Sequence, residues 1–390
     1  MMRIEQDWLS VDTTQRVCAT LQADGAQVYF VGGCVRNALL GAPVSDLDIS
    51  TDAHPDAVLA LAQKAGIKAI PTGIDHGTVT LVVDGVPFEV TTFRKDVATD
   101  GRRAVVAFAQ NMEDDARRRD FTMNAIYADP TGALFDPLGG LPDLQARKLR
   151  FIGTAAHRIQ EDFLRTLRYF RFHAWYGDPN GGMDPDALAA IAENLDGLAL
   201  LSRERVTHEM LKLMAAPDPA PAVAAMRQTG VLMALFPGSD DRALAPVVHL
   251  EGEAPFPDEN CDAVLRLAAL GEPDVFVDYL RLSKVQEKRL TLLRNTATGT
   301  QDAAELSYRH GVRNAQAASV LRAALLESPL SVDLQDALVK GSSASFPIQA
   351  SDLMPEITGP ALGVALKKLE ATWIDSRFQM DRDALLSALK

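Results

Sequence analysis

The strongest constraint on the fold is a change of texture at Pro142. Before it, β-rich runs alternate with helical ones; beyond it, helical spacing takes over and few β-rich runs remain. Val28-Tyr29-Phe30-Val31 is a β-rich run ending in Gly32-Gly33, and residues 35–40 then read as a short helix stopped by Gly41 and Pro43. Residues 47–49 resume a strand, and His54-Pro55-Asp56 opens a helix through Ala65, with Gly66 past its end. Residues 78–83 and 86–93 are two more β-rich runs, joined by Asp84-Gly85, a strong two-residue hairpin signal. A further β-rich piece at 104–108 follows a polar loop at 99–103. Strands with interleaved helices and a central hairpin predict an α+β head ending near residue 140.

Downstream, residues 161–176, 185–194, 203–214 and 219–228 carry helical periodicity. Ser283-Lys284-Val285-Gln286 matches a capping box ahead of a basic helix, on which Arg281, Lys284, Lys288 and Arg289 are candidate nucleic-acid contacts or a solvated face. Leu362, Leu366, Leu369 and Trp373 share one face of a helix near the end. A chain of 390 residues exceeds one ordinary core, so several domains are expected: 1–140, 141–230 and 231–390.

Composition excludes some classes and leaves others open. No apolar run approaches the length of a membrane span, and the start carries no secretory signal. Cys18, Cys34 and Cys261 form no CxxC pair and no Cys/His metal spacing, which favours a reducing, cytoplasmic setting. The formal net charge of −13 suits an acidic enzyme with a small anionic substrate. Basic residues nevertheless concentrate between Arg94 and Arg171, so a local positive field can coexist with an acidic whole.

Asp46-Leu47-Asp48 carries the first chemical signal. On a strand, residues two apart point to one side, so both carboxylates would project together and call for a cation such as Mg²⁺. A solvated surface pair has the same spacing. Gly32-Gly33 at a strand end, leading into a helix with Arg36, suits close backbone approach to a phosphate; a plain turn fits too. Glu89, on the second hairpin strand, is a candidate third carboxylate or a solvent-facing residue. Arg117-Arg118-Arg119-Asp120-Phe121-Thr122-Met123-Asn124 is either a solvated turn or a phosphate and ribose grip. Asp162, Arg165, Arg168 and Arg171 recur every three residues, as a functional stripe or a ladder of surface ion pairs.

Together these segments resemble the class II tRNA nucleotidyltransferases, the CCA-adding enzymes with their poly(A) polymerase relatives, and bacterial CCA-adding enzymes in particular. Residues 32–41 followed by Asp46-Leu47-Asp48 resemble the first family motif; Gly77-Thr78-Val79-Thr80 and residues 88–94 the second. Arg118-Arg119-Asp120-Phe121 with Asn124 resembles the third, Glu161-Asp162 through Arg165, Arg168 and Arg171 the fourth, and Leu201-Ser202-Arg203-Glu204-Arg205 the helical motif after it. Weaker similarity at residues 359–363 extends the match over nearly the whole chain. Asn37 stands where the family usually has aspartate.

The resemblance implies a polymerase-β-like nucleotidyltransferase head, a helical neck for base recognition, and a helical body and tail for tRNA. Asp46 and Asp48 would carry two Mg²⁺ ions, with Glu89 as a further catalytic acid. Gly33, Arg36, Arg119, Asp162, Arg165, Arg168 and Arg171 would hold CTP or ATP. The implied reaction adds C, C and A to the tRNA 3′ end and releases pyrophosphate; no membrane and no protein partner is implied. Poly(A) polymerases generally carry a basic-aromatic run ending in histidine-valine where this chain has Gly73-Ile74-Asp75-His76-Gly77-Thr78-Val79. In enzymes adding only CC, the loop kept here at residues 96–103 is shortened or absent. A poly(A) polymerase, a partial CC- or A-adding enzyme, and a catalytically silent RNA-binding scaffold remain the alternatives.

Overall fold

The computed structural model describes residues 2–99, 104–256 and 261–388, and the chain divides into two compact units, Met1–Pro237 and Gly238–Lys390. In the first unit the strands are, in chain order, β1 (Val28–Val31), β2 (Asp48–Thr51), β3 (Lys68–Gly73), β4 (Thr78–Val83), β5 (Val86–Thr92), β6 (Arg94–Thr99), β7 (Ala104–Phe108), β8 (Tyr127–Ala128) and β9 (Leu134–Phe135). Seven of them form one mixed sheet in the order β3-β4-β5-β2-β1-β8-β9, and β6 and β7 pair as a separate ribbon. Within the sheet β2 and β5 run parallel and the other neighbours antiparallel.

Local chemistry explains the register. Asp84 and Gly85 both take positive φ (50° and 84°), the turn whose twist matches an antiparallel pair, so β4 and β5 are locked end to end. Along β5, Phe88, Val90 and Thr92 are buried while Glu89 is exposed, so one face packs and the other opens. β3 is an edge strand, mostly exposed, and tolerates Pro71 for that reason.

Three local expectations change. β3 and β6 carry no clear apolar alternation and form because a neighbour supplies the hydrogen bonds. β2 begins at Asp48, so Asp46 lies ahead of the strand rather than on it. The helical stretch at 161–176 is two helices, Ala155–Glu161 and Leu164–Tyr176, broken at Asp162, whose backbone is extended (φ −155°, ψ 104°). The loop residues Asp100, Gly101, Arg102 and Arg103 lie outside the described residues.

Aromatic packing joins the neck helix Leu164–Tyr176 to the head. Phe121, buried after the arginine run, lies 5.1 Å from Phe172 and 5.0 Å from Phe151, while Phe151 stacks on Tyr169 at 5.4 Å. Truncating such a ring to alanine costs about 3–5 kcal/mol, so head and neck packing stand together.

The second unit is helical among the described residues. The capping box at Ser283 and Gln286 forms at the start of the Lys284–Ala297 helix. Arg289 on that helix donates to Asp262 and Asn314 and is largely buried, so it serves the core rather than an exposed basic face. Helices Ala303–His310 and Leu334–Ser343 cross at Gly341, where an added Cβ would sit 2.0 Å from the Ala304 carbonyl oxygen. In helix Pro360–Asp375, Leu369 and Trp373 are buried, and Leu362 and Leu366 pack beside them.

Candidate active site

The site begins where β1 ends. Gly32 takes φ 76°, turning the chain from the strand into the helix Gly33–Leu40. A Cβ on Gly32 would lie 3.6 Å from Arg119 Nη1 and 3.8 Å from Asp48 Oδ2. That glycine therefore admits both a required backbone conformation and a close approach to the reactive corner. Gly33 follows as the first helical residue, where its N–H belongs to the unsatisfied helix start.

Asp48 is paired in register with Glu89 across the parallel β2–β5 pair, which puts both side chains on one face. Burial raises the Asp48 pKa, Glu89 raises it further, Arg119 lowers it, Asp46 raises it again and Arg36 lowers it. Asp46 is exposed and accepts from Ser45 Oγ at 2.8 Å. Three negative charges thus bear on one open corner. Among the described residues no three metal-type side chains converge into a closed cage. Asp46 and Asp48 fit an ion that keeps several waters and takes its remaining ligands from substrate phosphates, the usual habit of Mg²⁺.

Around this corner lie the predicted arginines. Arg119 donates to Asp115 Oδ2 at 3.0 Å, to the Tyr127 hydroxyl at 3.2 Å and to Ser50 Oγ at 3.3 Å. Arg165 donates to Glu161 at 2.5 Å, to the Arg158 carbonyl at 3.0 Å and to the Arg118 carbonyl at 3.3 Å. Arg158, buried beneath, donates to the carbonyls of Arg118 and Arg119 and so ties the neck to the arginine run. Arg168 bonds Asp120 through Nε at 2.8 Å, and Arg171 bonds Glu209 at 2.5 Å. Arg36, Arg168 and Arg171 all lie 4.5–5.2 Å from the Phe172 ring centroid.

The structure gathers Asp46, Asp48, Glu89, Gly33, Arg36 and Arg119 at the mouth of the head, and Arg165, Arg168 and Arg171 on one neck helix. Among the described residues it forms no side-chain bond between Asp162 and Arg165, which are joined only by the Arg165 amide donating to the Asp162 carbonyl at 2.9 Å. Asp162 sits at the break between helices, accepting from the Leu164 amide at 3.1 Å and from Arg205 at 2.7 Å. A period of three predicts one continuous stripe, and that spacing conceals the helix break at Asp162. Sequence reasoning also missed Asp115, Arg158, Tyr176 and Glu209. The only available signal was an acid or aromatic at helical distance from each arginine; the partners of Arg168 and Arg171 lie on other elements.

A mixed sheet that presents carboxylates beside a fan of guanidiniums is the layout of a nucleotidyltransferase. A family model described as the poly A polymerase head domain matches residues 28–150, and one described as a probable RNA and SrmB-binding site of polymerase A matches residues 182–242. The chain is 34% identical to the mitochondrial CCA tRNA nucleotidyltransferase 1 of Homo sapiens over 93% of its own length and 86% of that protein. It is 32% identical to a CCA-adding enzyme of Streptococcus gordonii, with 96% of each covered. A crystal structure of the Bacillus stearothermophilus CCA-adding enzyme in complex with CTP superposes with a TM-score of 0.76 at 28% identity, covering 96% of this chain and 94% of that one. The chain belongs to the family of CCA-adding tRNA nucleotidyltransferases.

Proposed function

We propose that this protein adds C, C and A to the 3′ end of tRNA, using CTP and ATP without a nucleic-acid template and releasing pyrophosphate. The observation that carries this reading is the meeting of Asp48 with Arg119 at Gly32, next to a neck helix whose arginines are already held in place. An acidic corner beside fixed guanidiniums suits a metal-bound triphosphate better than a bare anion.

Asp46 and Asp48 would hold divalent ions, Mg²⁺ in the first place and two in number. Those ions would lower the pKa of the attacking tRNA hydroxyl and offset charge on the leaving pyrophosphate. The chain itself positions: Arg119, Arg168 and Arg171 are oriented by Asp115, Asp120 and Glu209 before substrate arrives, so little reorganisation is left for the reaction. Glu89 adds negative charge beside Asp48 and supports its hold on a cation.

Base choice follows from hydrogen-bond order. Cytosine and adenine both present an amino donor beside a ring-nitrogen acceptor, whereas uracil and guanine present the reverse. A carboxylate only accepts and a guanidinium only donates, so Asp162 and Arg165 can meet C and A alike and leave U or G with unpaired buried groups. Each is steadied from outside, Asp162 by Arg205 and Arg165 by Glu161.

The test is incorporation of single labelled nucleotides into tRNA transcripts ending before, within or after CC. Full CCA addition requires C on the first two and A on the third. A product of repeated A would instead make the chain a poly(A) polymerase. Asp46→Ala and Asp48→Ala should each abolish addition in a folded protein, and substantial turnover by either would overturn the assignment. A cytoplasmic setting, supported by three free cysteines, is part of the same proposal; cell fractionation that found the protein in an organelle would remove it.

A further inference from the structure

The five arginines predicted to grip the nucleotide differ in what balances their charge. Four have a carboxylate partner: Arg119 with Asp115, Arg165 with Glu161, Arg168 with Asp120 and Arg171 with Glu209. Arg36 has none among the described residues it is hydrogen-bonded to. Its guanidinium, on a residue only 6% exposed, donates Nε and Nη2 to Asn37 Oδ1 at 3.1 and 2.9 Å. It also donates Nη1 to Asn124 Oδ1 at 2.6 Å and Nη2 to the Tyr176 hydroxyl at 2.8 Å. The Tyr176 ring centroid lies 4.0 Å from the guanidinium carbon. Asp120 makes no hydrogen bond to Arg36; it is linked to this network through Asn124, whose Nδ2 donates to it at 2.8 Å, and its charge favours the guanidinium from a distance without pairing with it.

Asn37 has a second bond. Its Nδ2 donates to the Pro43 carbonyl at 2.7 Å, on the loop that runs from the helix Gly33–Leu40 to Asp46. The amide can face only one way, because a guanidinium has no acceptor and a carbonyl no donor. One side chain thus joins Arg36 to the segment that delivers Asp46. An aspartate there would neutralise Arg36 and set a carboxylate oxygen against the Pro43 carbonyl oxygen.

We propose that Asn37 holds Arg36 in place without neutralising it, leaving the guanidinium charge for the polyphosphate of an incoming nucleotide, while the same amide fixes the loop leading into Asp46. This rests on Arg36 being a nucleotide ligand. Asn37 acts here as a positioning residue.

The full chain, without tRNA and in the presence of Mg²⁺, is titrated with CTP and separately with CMP. In Asn37→Asp the CTP dissociation constant should rise about tenfold and that of CMP less than about threefold, since the lost attraction scales with phosphate charge. Asn37→Ser, neutral but lacking both bonds, should preserve the ratio of the two affinities. Unchanged CTP binding in Asn37→Asp, an equal loss of CTP and CMP, or a fall of the ratio in Asn37→Ser would each overturn the proposal. Arg36→Met separates the premise: if it binds CTP as tightly as the parent, Arg36 is no nucleotide ligand and the proposal falls with it.

Discussion

Asp115 is a carboxylate that the head can bury only because two guanidiniums and a phenol meet it. It accepts from Arg118 at 2.8 Å, from Arg119 at 3.0 Å and from the Tyr127 hydroxyl at 2.8 Å. Burial raises its pKa, but the Arg119 and Arg118 charges outweigh that and hold it down at about 2. A folded value below the unfolded one means the ionised form stabilises the protein above pH ~4, and this contribution fades as pH falls towards about 2. Asp115→Asn leaves Arg119 short of its counter-charge and should destabilise the head by about 3 kcal/mol near neutrality. Denaturant titrations should show that gap narrowing through the acid window; a gap independent of pH would contradict the ionic origin. Thiol chemistry gives a second check at this scale. Burial pushes Cys18 up to about 12 and Cys34 up to about 11, whereas Cys261 is only half-buried. An alkylating reagent should therefore modify Cys261 in the folded protein and reach the other two only after unfolding, as peptide mapping would reveal.

The two neck helices meet at Asp162, and a third, Arg203–Met214, sets how its carboxylate points. Ser202 caps that helix and Arg205 in its first turn takes Asp162 at 2.7 Å. The pair is about one-third exposed on each side, so its direct worth to stability is small, about 0–1 kcal/mol. Its consequence lies in selectivity: Arg205→Ala should raise misincorporation of U or G relative to C by about tenfold, with little change in melting temperature. Unaltered discrimination in primer extension would assign base choice elsewhere. In the second unit, contact between helices Ala303–His310 and Leu334–Ser343 depends on the missing side chain of Gly341. Gly341→Ala must push the helices apart, and a loss of about 1–3 kcal/mol is expected by chemical denaturation.

Across the molecule, half of the basic residues between Arg94 and Arg171 are compensated by nearby acids. Arg118, Arg119, Arg150, Arg158, Arg165, Arg168 and Arg171 each face an acidic residue. An overall charge of −13 is therefore compatible with a site rich in arginine, because the acids are partners rather than competitors. The head sheet, the neck and every predicted nucleotide residue fall within Met1–Pro237. That unit expressed alone should fold and bind CTP within about threefold of the full chain, a difference below 1 kcal/mol. Failure of a folded isolated unit to bind would contradict the placing of the nucleotide site within Met1–Pro237.

The sequence by itself determined the α+β head, the helical remainder, the Asp84-Gly85 turn, the Ser283 cap and the family motifs, since each depends on neighbours a few residues apart. It also marked Asp48, Arg119 and Arg171, but not what holds them. Only the tertiary structure decided that Asp162 leaves its helix for Arg205, that Arg171 rests on Glu209, and that Arg36 alone among the gripping arginines lies among neutral partners. Those pairings join residues up to 140 positions apart, and short-range periodicity carries no information about which distant charge will fill a buried guanidinium's donors.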